Sequence, residues 1–164
     1  MGKTVEDLKE AFAGESQANR RYLAFAAKAE QEGYAQIARL FRAAAAAETV
    51  HAHNHLKVLK GVKSTADNLR EAIDGETAEF REMYPRMIAN AQAEGNKEAE
   101  RTFNFANEVE KTHAALFEKA LKNLADKTMV EMYVCSICGH TVEGEPPEKC
   151  PVCNAVKKFF GKVD

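Results

Sequence analysis

The sequence predicts an all-α four-helix bundle followed by a small metal-bound domain of loops and short β-strands. Apolar residues recur at alternating spacings of three and four along four segments, which is the pattern of amphipathic helices. The motif Glu-x-x-His occurs at Glu48–His51 and again 62 residues later at Glu110–His113, so one helical unit is repeated. All 4 cysteines lie between Cys135 and Cys153. We therefore expect three regions: a bundle in 1–125, a linker in 126–132 and a metal domain in 133–164.

The composition is that of an ordinary globular protein. Hydrophobic residues make up 45% of the chain and charged residues 29%, which is enough for a core. The formal net charge of −2 argues against a nucleic-acid-binding surface. No run approaches the roughly 18 apolar residues of a membrane span, and residues 1–15 lack the apolar stretch of a signal peptide. We expect a cytoplasmic protein that binds neither nucleic acid nor membrane.

The first two helices are predicted over about 4–32 and about 35–60. Gly33 interrupts the first apolar pattern and Gly61 ends the second, since glycine is the usual residue beyond a helix C-terminus. The run of alanines in the second helix leaves little side-chain bulk, so that helices can approach closely and leave room for metal ions. These two segments are expected to be neighbours because the connection between them is short.

The third and fourth helices are predicted over about 64–94 and about 96–124. Ser64 or Thr65 can cap the third helix by accepting a hydrogen bond from an unpaired backbone amide. Pro85 lies inside the third helix, where its missing N–H removes one backbone hydrogen bond, so we expect a kink there. Short connections between all four helices indicate a bundle.

Acidic residues and histidines occupy positions on the apolar stripes where leucine is expected. They are Glu15, Glu48, His51, Glu76, Glu110 and His113, with Glu79 beside them. An unpaired carboxylate in an apolar interior costs several kcal/mol or more, and the stripes contain no Lys or Arg. Carboxylate and imidazole ligands together suit iron or manganese. One Glu from each of two helices and Glu-x-x-His from each of the other two is the ligand set of ferritin-like di-iron bundles.

Single residues of this set also have plainer explanations. A solvated Glu or a hydrogen-bonded core His would explain any one of them, but not the whole set repeated at matching intervals. Glu79 is a seventh candidate ligand, whereas a ferritin-like site needs only six side chains. It lies one turn after Glu76 and is expected to face the same cavity.

The tail contains two Cys-x-x-Cys knuckles separated by eleven residues. Four thiolates at this spacing can surround one metal ion tetrahedrally, which is a strong signal for a metal and a weak one for its identity. Cys135, Cys138, Cys150 and Cys153 are the predicted ligands. A structural zinc ribbon remains an alternative to an iron site on this pattern alone.

The chain resembles the rubrerythrins along nearly its whole length. The segments that carry the resemblance are Gly14–Ala18 with Tyr22, Ala47–His51, Gly75–Glu79 with Met83–Pro85, and Glu110–His113. The tail looks like the rubredoxin module of that family in its Tyr133, Gly139, Pro151 and Phe159–Phe160. It departs from free-standing rubredoxins in a shorter loop and in Asn154 after the last cysteine.

The resemblance implies metals and roles for the matching residues. It implies two irons in the bundle, oxo-bridged when oxidised, and one iron in the four-cysteine site. In rubrerythrins, the residues that match Glu48 and Glu110 bridge the two irons. The residues that match Glu76 and His113 hold one of the irons. The match of Glu15 holds the other iron, together with His51 or Glu79 according to oxidation state. Tyr22 and Tyr84 match tyrosines near the di-iron pocket, although packing alone would also explain them.

The resemblance also implies an activity. The expected reaction is reduction of hydrogen peroxide to water, with electrons passing through the iron of the four-cysteine site from rubredoxin or an NAD(P)H-dependent reductase. Because the linker is short, we expect a homodimer or higher oligomer in which each tail serves the neighbour's di-iron site. The alternatives are a ferroxidase or oxidase, and, from a different class, an iron store or a metal-binding scaffold with a zinc ribbon.

Overall fold

The computed structural model describes residues 2–163. Four long helical segments and a small three-stranded domain are present among them, as the predicted fold class requires. The chain divides into two compact units, Met1–Lys63 and Ser64–Asp164. The predicted boundaries of bundle, linker and tail stay a prediction. Among the described residues, no helix combines the length and apolarity needed to cross a membrane.

The first unit is a helical hairpin. Helix α1 (Lys3–Gln31) and helix α2 (Ala35–Val58) are joined through Gly33, whose φ of 83° requires the conformational freedom of glycine. The buried residues of the two helices are all alanines: Ala26, Ala29, Ala38, Ala45 and Ala52. Small side chains at these positions allow the two backbones to approach closely, and of the alanine run it is Ala45 that is buried.

The end of α2 differs in detail from the prediction. The helix ends at Val58, and Lys60 rather than Gly61 adopts the left-handed conformation, with φ of 54°. Gly61 is needed for a different reason. A Cβ atom at Gly61 would lie 2.3 Å from Leu56 Cδ1, while the Gly61 amide donates a hydrogen bond to the Leu56 carbonyl at 2.9 Å.

The helices of the second unit have clear start signals. Helix α3 (Thr65–Ala78) begins after Ser64, whose Oγ accepts a hydrogen bond from the Asp67 amide at 3.2 Å, as predicted. Helix α4 spans Tyr84–Ala93, and helix α5 spans Lys97–Lys122. The Asn96 side chain caps α5 by accepting a hydrogen bond from the Ala99 amide at 3.1 Å.

A π-helical segment, Glu79–Met83, connects α3 to α4. Pro85 has no N–H, so it cannot make the ordinary hydrogen bond to the residue four positions earlier. The wider π turn accommodates this loss, and the irregularity lies immediately before the proline, where a kink was predicted. Such segments are frequent at functional sites, and this one begins at a predicted metal ligand, Glu79.

The tail is a small antiparallel sheet. Strands β1 (Met132–Cys135), β2 (Thr141–Glu143) and β3 (Phe160–Val163) are arranged in the order β2-β1-β3. A single turn of 3-10 helix, Lys157–Phe159, precedes β3. The buried cluster of this domain consists of Cys135, Cys150 and Phe160. A core made mostly of cysteines is too small to hold such short strands by itself, so it indicates stabilisation by a metal.

Candidate metal centres

The first unit brings together three predicted ligands, Glu15, Glu48 and His51. Each offers one ligand atom, and these atoms lie within 4.8 Å of one another. His51 Nδ1 lies 2.9 Å from Glu48 Oε2 and 4.0 Å from Glu15 Oε1. Because Glu48 and His51 are three residues apart on α2, both side chains leave the same face of the helix. One acid from α1 completes the group.

Asn19 supports this group, and the sequence did not assign it a role. Its Nδ2 donates hydrogen bonds to the Ala45 carbonyl at 2.7 Å and to Thr49 Oγ1 at 2.9 Å. These bonds connect α1 to α2 one turn from Glu15 and next to Glu48. The available signal was a polar amide inside the apolar stripe of α1, a position that calls for a specific partner.

The second unit repeats the arrangement with Glu76, Glu110 and His113. Their ligand atoms also lie within 4.8 Å of one another. His113 Nδ1 lies 2.7 Å from Glu110 Oε2 and 3.7 Å from Glu76 Oε1. Burial, followed by the charge of Glu110 and a hydrogen bond with it, raises the pKa of Glu76 to about 7. A bound cation would stabilise the ionised form of these closely spaced carboxylates. The group therefore fits a metal ion.

Glu79 and Tyr84 lie beside the second group. Burial and the charge of Glu110 raise the pKa of Glu79, while His113 acts in the opposite direction. Burial, followed by the charges of Glu110, Glu79 and Glu76, raises the pKa of Tyr84. These effects indicate that both side chains lie close enough to the predicted ligands for their charges to interact. Glu79 is not part of the three-residue cluster itself.

Tyr22 has surroundings of a different kind. Its ring centroid lies 6.3 Å from that of Phe25 and 6.1 Å from that of Phe41. These contacts are the aromatic packing that the sequence left open as the plainer explanation. Tyr22 therefore contributes to the hairpin's apolar face, and its predicted place near the iron pocket stays a prediction.

The raised pKa of Glu76 predicts how the metal-free protein responds to pH. The folded chain keeps the Glu76 proton up to about pH 7, whereas in the unfolded chain the carboxyl has its usual pKa of 4.5. Between these values the folded state binds more protons, so the contribution of Glu76 to the free energy of unfolding falls as the pH rises. In EDTA, Glu76→Gln should remove this fall, measured by urea unfolding between about pH 5 and about pH 8.

The matched control for this measurement is Glu82→Gln, because Glu82 is an exposed acid on the neighbouring π segment. Its pH dependence should remain that of the unchanged chain. Identical pH dependence for Glu76→Gln and the unchanged chain would show that Glu76 ionises normally in the fold.

The tail brings the four predicted cysteines together. Cys135 Sγ lies 3.7 Å from Cys153 Sγ, and Cys138 Sγ lies 3.5 Å from Cys150 Sγ. No disulfide joins any of them. Cys135 and Cys150 are buried, while Cys138 and Cys153 are half-buried. Four convergent sulfurs fit one tetrahedral metal ion.

Backbone amides point at the sulfurs of both knuckles. Burial disfavours the Cys135 thiolate, but amide donors from Ile137 and Cys138 outweigh it and lower the pKa of Cys135. Burial raises the pKa of Cys138 and of Cys153, although each also accepts an amide hydrogen bond. Amide donors to sulfur stabilise negative charge and oppose the effect of burial, and a cation among the four sulfurs would stabilise their thiolates further.

The two knuckles have matching backbones. Gly139 follows the first knuckle with φ of 83°, and Asn154 follows the second with φ of 61°. After glycine, asparagine is one of the residues that best tolerate the left-handed region. Asn154 differs from the residue at this position in free-standing rubredoxins, but it still allows the turn that directs the backbone amides at the sulfurs.

The tail contacts the second metal group of its own chain. Thr141 Oγ1 lies 2.9 Å from His113 Nε2, and Lys119 of α5 pairs with Glu143 of β2. The tail therefore reaches a ligand group of its own chain, and the expectation that each tail serves the neighbour's di-iron site stays a prediction. Strand β2, which begins three residues after Cys138, lies directly against α5.

Comparisons with known proteins agree with this arrangement. The rubrerythrin family model matches residues 6–121, and the model of the rubrerythrin rubredoxin-like domain matches residues 133–161. Rubrerythrin-2 of Clostridium acetobutylicum is 40% identical, with 96% of this chain and 95% of that protein covered. Nigerythrin of Nitratidesulfovibrio vulgaris is 36% identical, with 98% of this chain and 86% of that protein covered.

A solved structure of nigerythrin in its fully reduced, all-ferrous state is also similar. It is 36% identical, covers 99% of this chain and 88% of its own, and superposes with a TM-score of 0.61. The described residues of this chain contain two carboxylate–histidine groups and one four-cysteine group. The chain belongs to the rubrerythrin family, with the carboxylate and histidine ligands of a di-iron site in its helices and a four-cysteine rubredoxin-like site in its tail.

Proposed function

We propose that this protein is a non-haem di-iron peroxidase that reduces hydrogen peroxide to water. The observation that carries the proposal is the hydrogen bond between His113, a predicted iron ligand, and Thr141 of the cysteine-bearing tail. An electron carrier in contact with a ligand of the helical metal site suits a redox enzyme. The match of the tail to the rubrerythrin rubredoxin-like domain supports an iron electron carrier there over a zinc ribbon, which would have no electron to deliver.

The ligand groups determine what the metals can do. Together they provide six side chains, one Glu and one Glu-x-x-His from each unit, and bound irons would supply the electrons that break the peroxide O–O bond. Four ionised carboxylates formally balance the charge of two divalent cations. Carboxylates and imidazoles leave positions for a small ligand because they do not fill every coordination position of iron.

Tyr84 and Glu79 are suited to handling protons. The Tyr84 hydroxyl, which lies within reach of the charges of Glu110, Glu79 and Glu76, can donate a hydrogen bond to an anionic oxygen. The raised pKa of Glu79 lets it hold a proton closer to neutral pH than an exposed glutamate does. Reduction of peroxide to water consumes two protons for each two electrons. We assign these two residues to the delivery of those protons.

The electron donor is proposed to be rubredoxin or an NAD(P)H-dependent reductase. The sequence contains no glycine-rich nucleotide-binding motif of the form Gly-x-Gly-x-x-Gly. The resemblance to rubrerythrins supports a separate protein that oxidises the nicotinamide and passes electrons to the tail iron. The cytoplasmic location stays a prediction.

A homodimer or higher oligomer is proposed from the apolar surface of α2. Ile37, Leu40, Val50 and Val58 are 47 to 65% exposed, which is unusual for so many large aliphatic side chains on one helix. A second copy of the chain is the proposed cover. Light scattering after gel filtration gives the mass directly, and the same measurement distinguishes a small oligomer from the hollow shell that iron storage requires.

Glu79 and His51 are proposed to exchange on one iron with oxidation state. Ferric iron favours a hard carboxylate, whereas ferrous iron accepts a neutral imidazole more readily. Glu79→Ala should leave both irons bound, slow peroxide turnover by about tenfold and alter the diferric spectrum. His51→Ala should instead weaken binding of ferrous iron. Metal analysis, absorption spectra and turnover rates check both variants.

Each variant has a matched control in the same helical segment. Glu82→Ala removes an exposed acid from the π segment, and His53→Ala removes an exposed imidazole from α2. Both controls should behave as the unchanged protein. Structures of the two oxidation states with identical ligands on that iron would rule out the exchange.

The proposed activity is tested by comparing three reactions of the anaerobically reduced, iron-loaded protein. Peroxide, oxygen and excess ferrous iron with oxygen are supplied separately to the same preparation. A peroxidase should consume peroxide much faster than oxygen and should form no iron mineral. If the protein instead consumes oxygen in the presence of added ferrous iron faster than it consumes peroxide, the ferroxidase or storage alternative is favoured.

A further inference from the structure

The tail domain lies against one face of α5 near the second metal group. Lys119 pairs with Glu143, and a Cβ atom at Gly139 would lie 3.9 Å from Val109 Cγ1, so the first knuckle passes close to the helix. Val109 is buried, with 3% of its surface exposed. Val109 and His113 lie four residues apart on α5 and therefore face the same direction. The ring of His113 is thus directed both to its neighbouring carboxylates and to the tail.

Thr141 makes two hydrogen bonds whose directions can be assigned. Its hydroxyl lies 3.1 Å from the Gly139 carbonyl oxygen and 2.9 Å from His113 Nε2. A carbonyl oxygen can only accept, so the single hydroxyl hydrogen of Thr141 goes to Gly139. The hydroxyl oxygen must then accept from the ring. His113 Nε2 therefore carries a hydrogen.

This assignment determines which nitrogen of His113 faces the metal group. Nδ1 lies 2.7 Å from Glu110 Oε2, on the side of the carboxylates, and Nε2 lies on the side of the tail. A metal-bound imidazole usually donates its other N–H to a neighbouring oxygen, which fixes the tautomer and the ring orientation. Here the acceptor is supplied by the electron-carrying domain and not by the helices.

We propose that Thr141 is a positioning residue that couples the two metal centres of one chain. It holds the hydrogen on His113 Nε2, so that Nδ1, which lies beside the carboxylates, would be the nitrogen that binds iron, and it links the ring through the Gly139 carbonyl to the backbone of Cys138. This inference rests on the proposed function, because it assigns the route of electrons within the same enzyme. One electron passes from the tail iron to the helical site, and the Nε2 hydrogen stays in place throughout.

The test uses three variants of the full-length protein. Thr141→Val keeps the shape of the side chain and removes the hydroxyl, while Thr141→Ser keeps the hydroxyl. Thr112→Val is the matched control, since Thr112 precedes His113 on α5 and its hydroxyl contacts the Glu108 carbonyl of the same helix, at 3.4 Å. Two readouts are needed, one of which does not depend on peroxide chemistry.

The first readout is nitrogen NMR of protein loaded with zinc, which is diamagnetic. The Nε2 hydrogen of His113 should exchange slowly with water in the unchanged protein, in Thr141→Ser and in Thr112→Val, and quickly in Thr141→Val. The second readout is the rate at which the tail iron is oxidised after the fully reduced, iron-loaded protein meets peroxide. That rate should fall about 10- to 100-fold in Thr141→Val alone.

Each possible outcome bears on the inference. Unchanged hydrogen exchange and an unchanged rate in Thr141→Val would overturn it, as would equal losses in Thr141→Ser or Thr112→Val. If peroxide oxidises no variant, including the unchanged protein, the proposed function fails. The NMR result still decides whether Thr141 holds the Nε2 hydrogen, so the two failures are distinguishable.

Discussion

A Cys150→Ala chain should lose the iron of the tail and the fold of residues 133–161 together. Cys150 is 0% exposed, and Cys135, Cys150 and Phe160 form the buried cluster of that domain. Domains of this size depend on their metal for folding, because binding free energy is converted into folding free energy. The thiolate charge-transfer colour should disappear. Peroxide turnover driven by a reductase should fall on the order of 100-fold, since no carrier remains.

Ser136→Ala is the control for this variant, because Ser136 is exposed and lies inside the same domain, in the first knuckle. It should keep the colour, the iron and the turnover. Metal analysis, near-ultraviolet circular dichroism and a coupled turnover assay together decide the result. A Cys150→Ala protein that still turned over at the unchanged rate would show that electrons reach the helices without the tail.

A Glu110→Ala chain should lose iron from the helical site and nearly all peroxide turnover. Glu110 lies 2.7 Å from the ring of His113, and its charge contributes to the raised pKa values of Glu76, Glu79 and Tyr84. One carboxylate thus acts on Glu76, Glu79, Tyr84 and His113, the other predicted site residues of the second helical group. Its removal should therefore lower the affinity for iron by about 100-fold or more, while the tail keeps its colour.

The control is Glu118→Ala, which removes an exposed acid from the same helix. Iron per chain, measured after dialysis against a weak chelator, should be unchanged in the control and reduced to the tail iron in Glu110→Ala. The pKa of Glu76 should also fall in Glu110→Ala, because the charge that helps to raise it is gone. Full iron content in Glu110→Ala would contradict its assignment as a ligand.

Much of the site could be predicted because its signals are local in the sequence. Glu48 with His51, and Glu110 with His113, are each one helical turn apart, so periodicity alone places each pair on one face. The predicted helix boundaries lie close to the observed ones, since glycines and capping side chains mark them. The spacing of the cysteines likewise predicts that four sulfurs meet at one site in the tail.

Other features could not be predicted because they depend on distant parts of the chain. Thr141 contacts His113 across 28 positions of sequence, and Asn19 contacts Ala45 across 26. No periodicity relates residues so far apart. The π segment before Pro85 is a local response to the missing N–H, but the sequence does not determine whether a helix bends or widens there. The contact between the tail and α5 could not be predicted for the same reason, because linker length does not reveal which surface the tail contacts.

Under the proposed function, peroxide should oxidise the helical irons, and the tail iron should then return electrons to them. A stopped-flow experiment tests this order by mixing fully reduced, iron-loaded protein with peroxide anaerobically and following both centres in one trace. The helical irons should be oxidised first, and the ferric colour of the tail should appear in a later phase, with water as the product. Oxidation of the tail before the helices, or oxidation of the helical irons no faster than that of free ferrous ion, would contradict it.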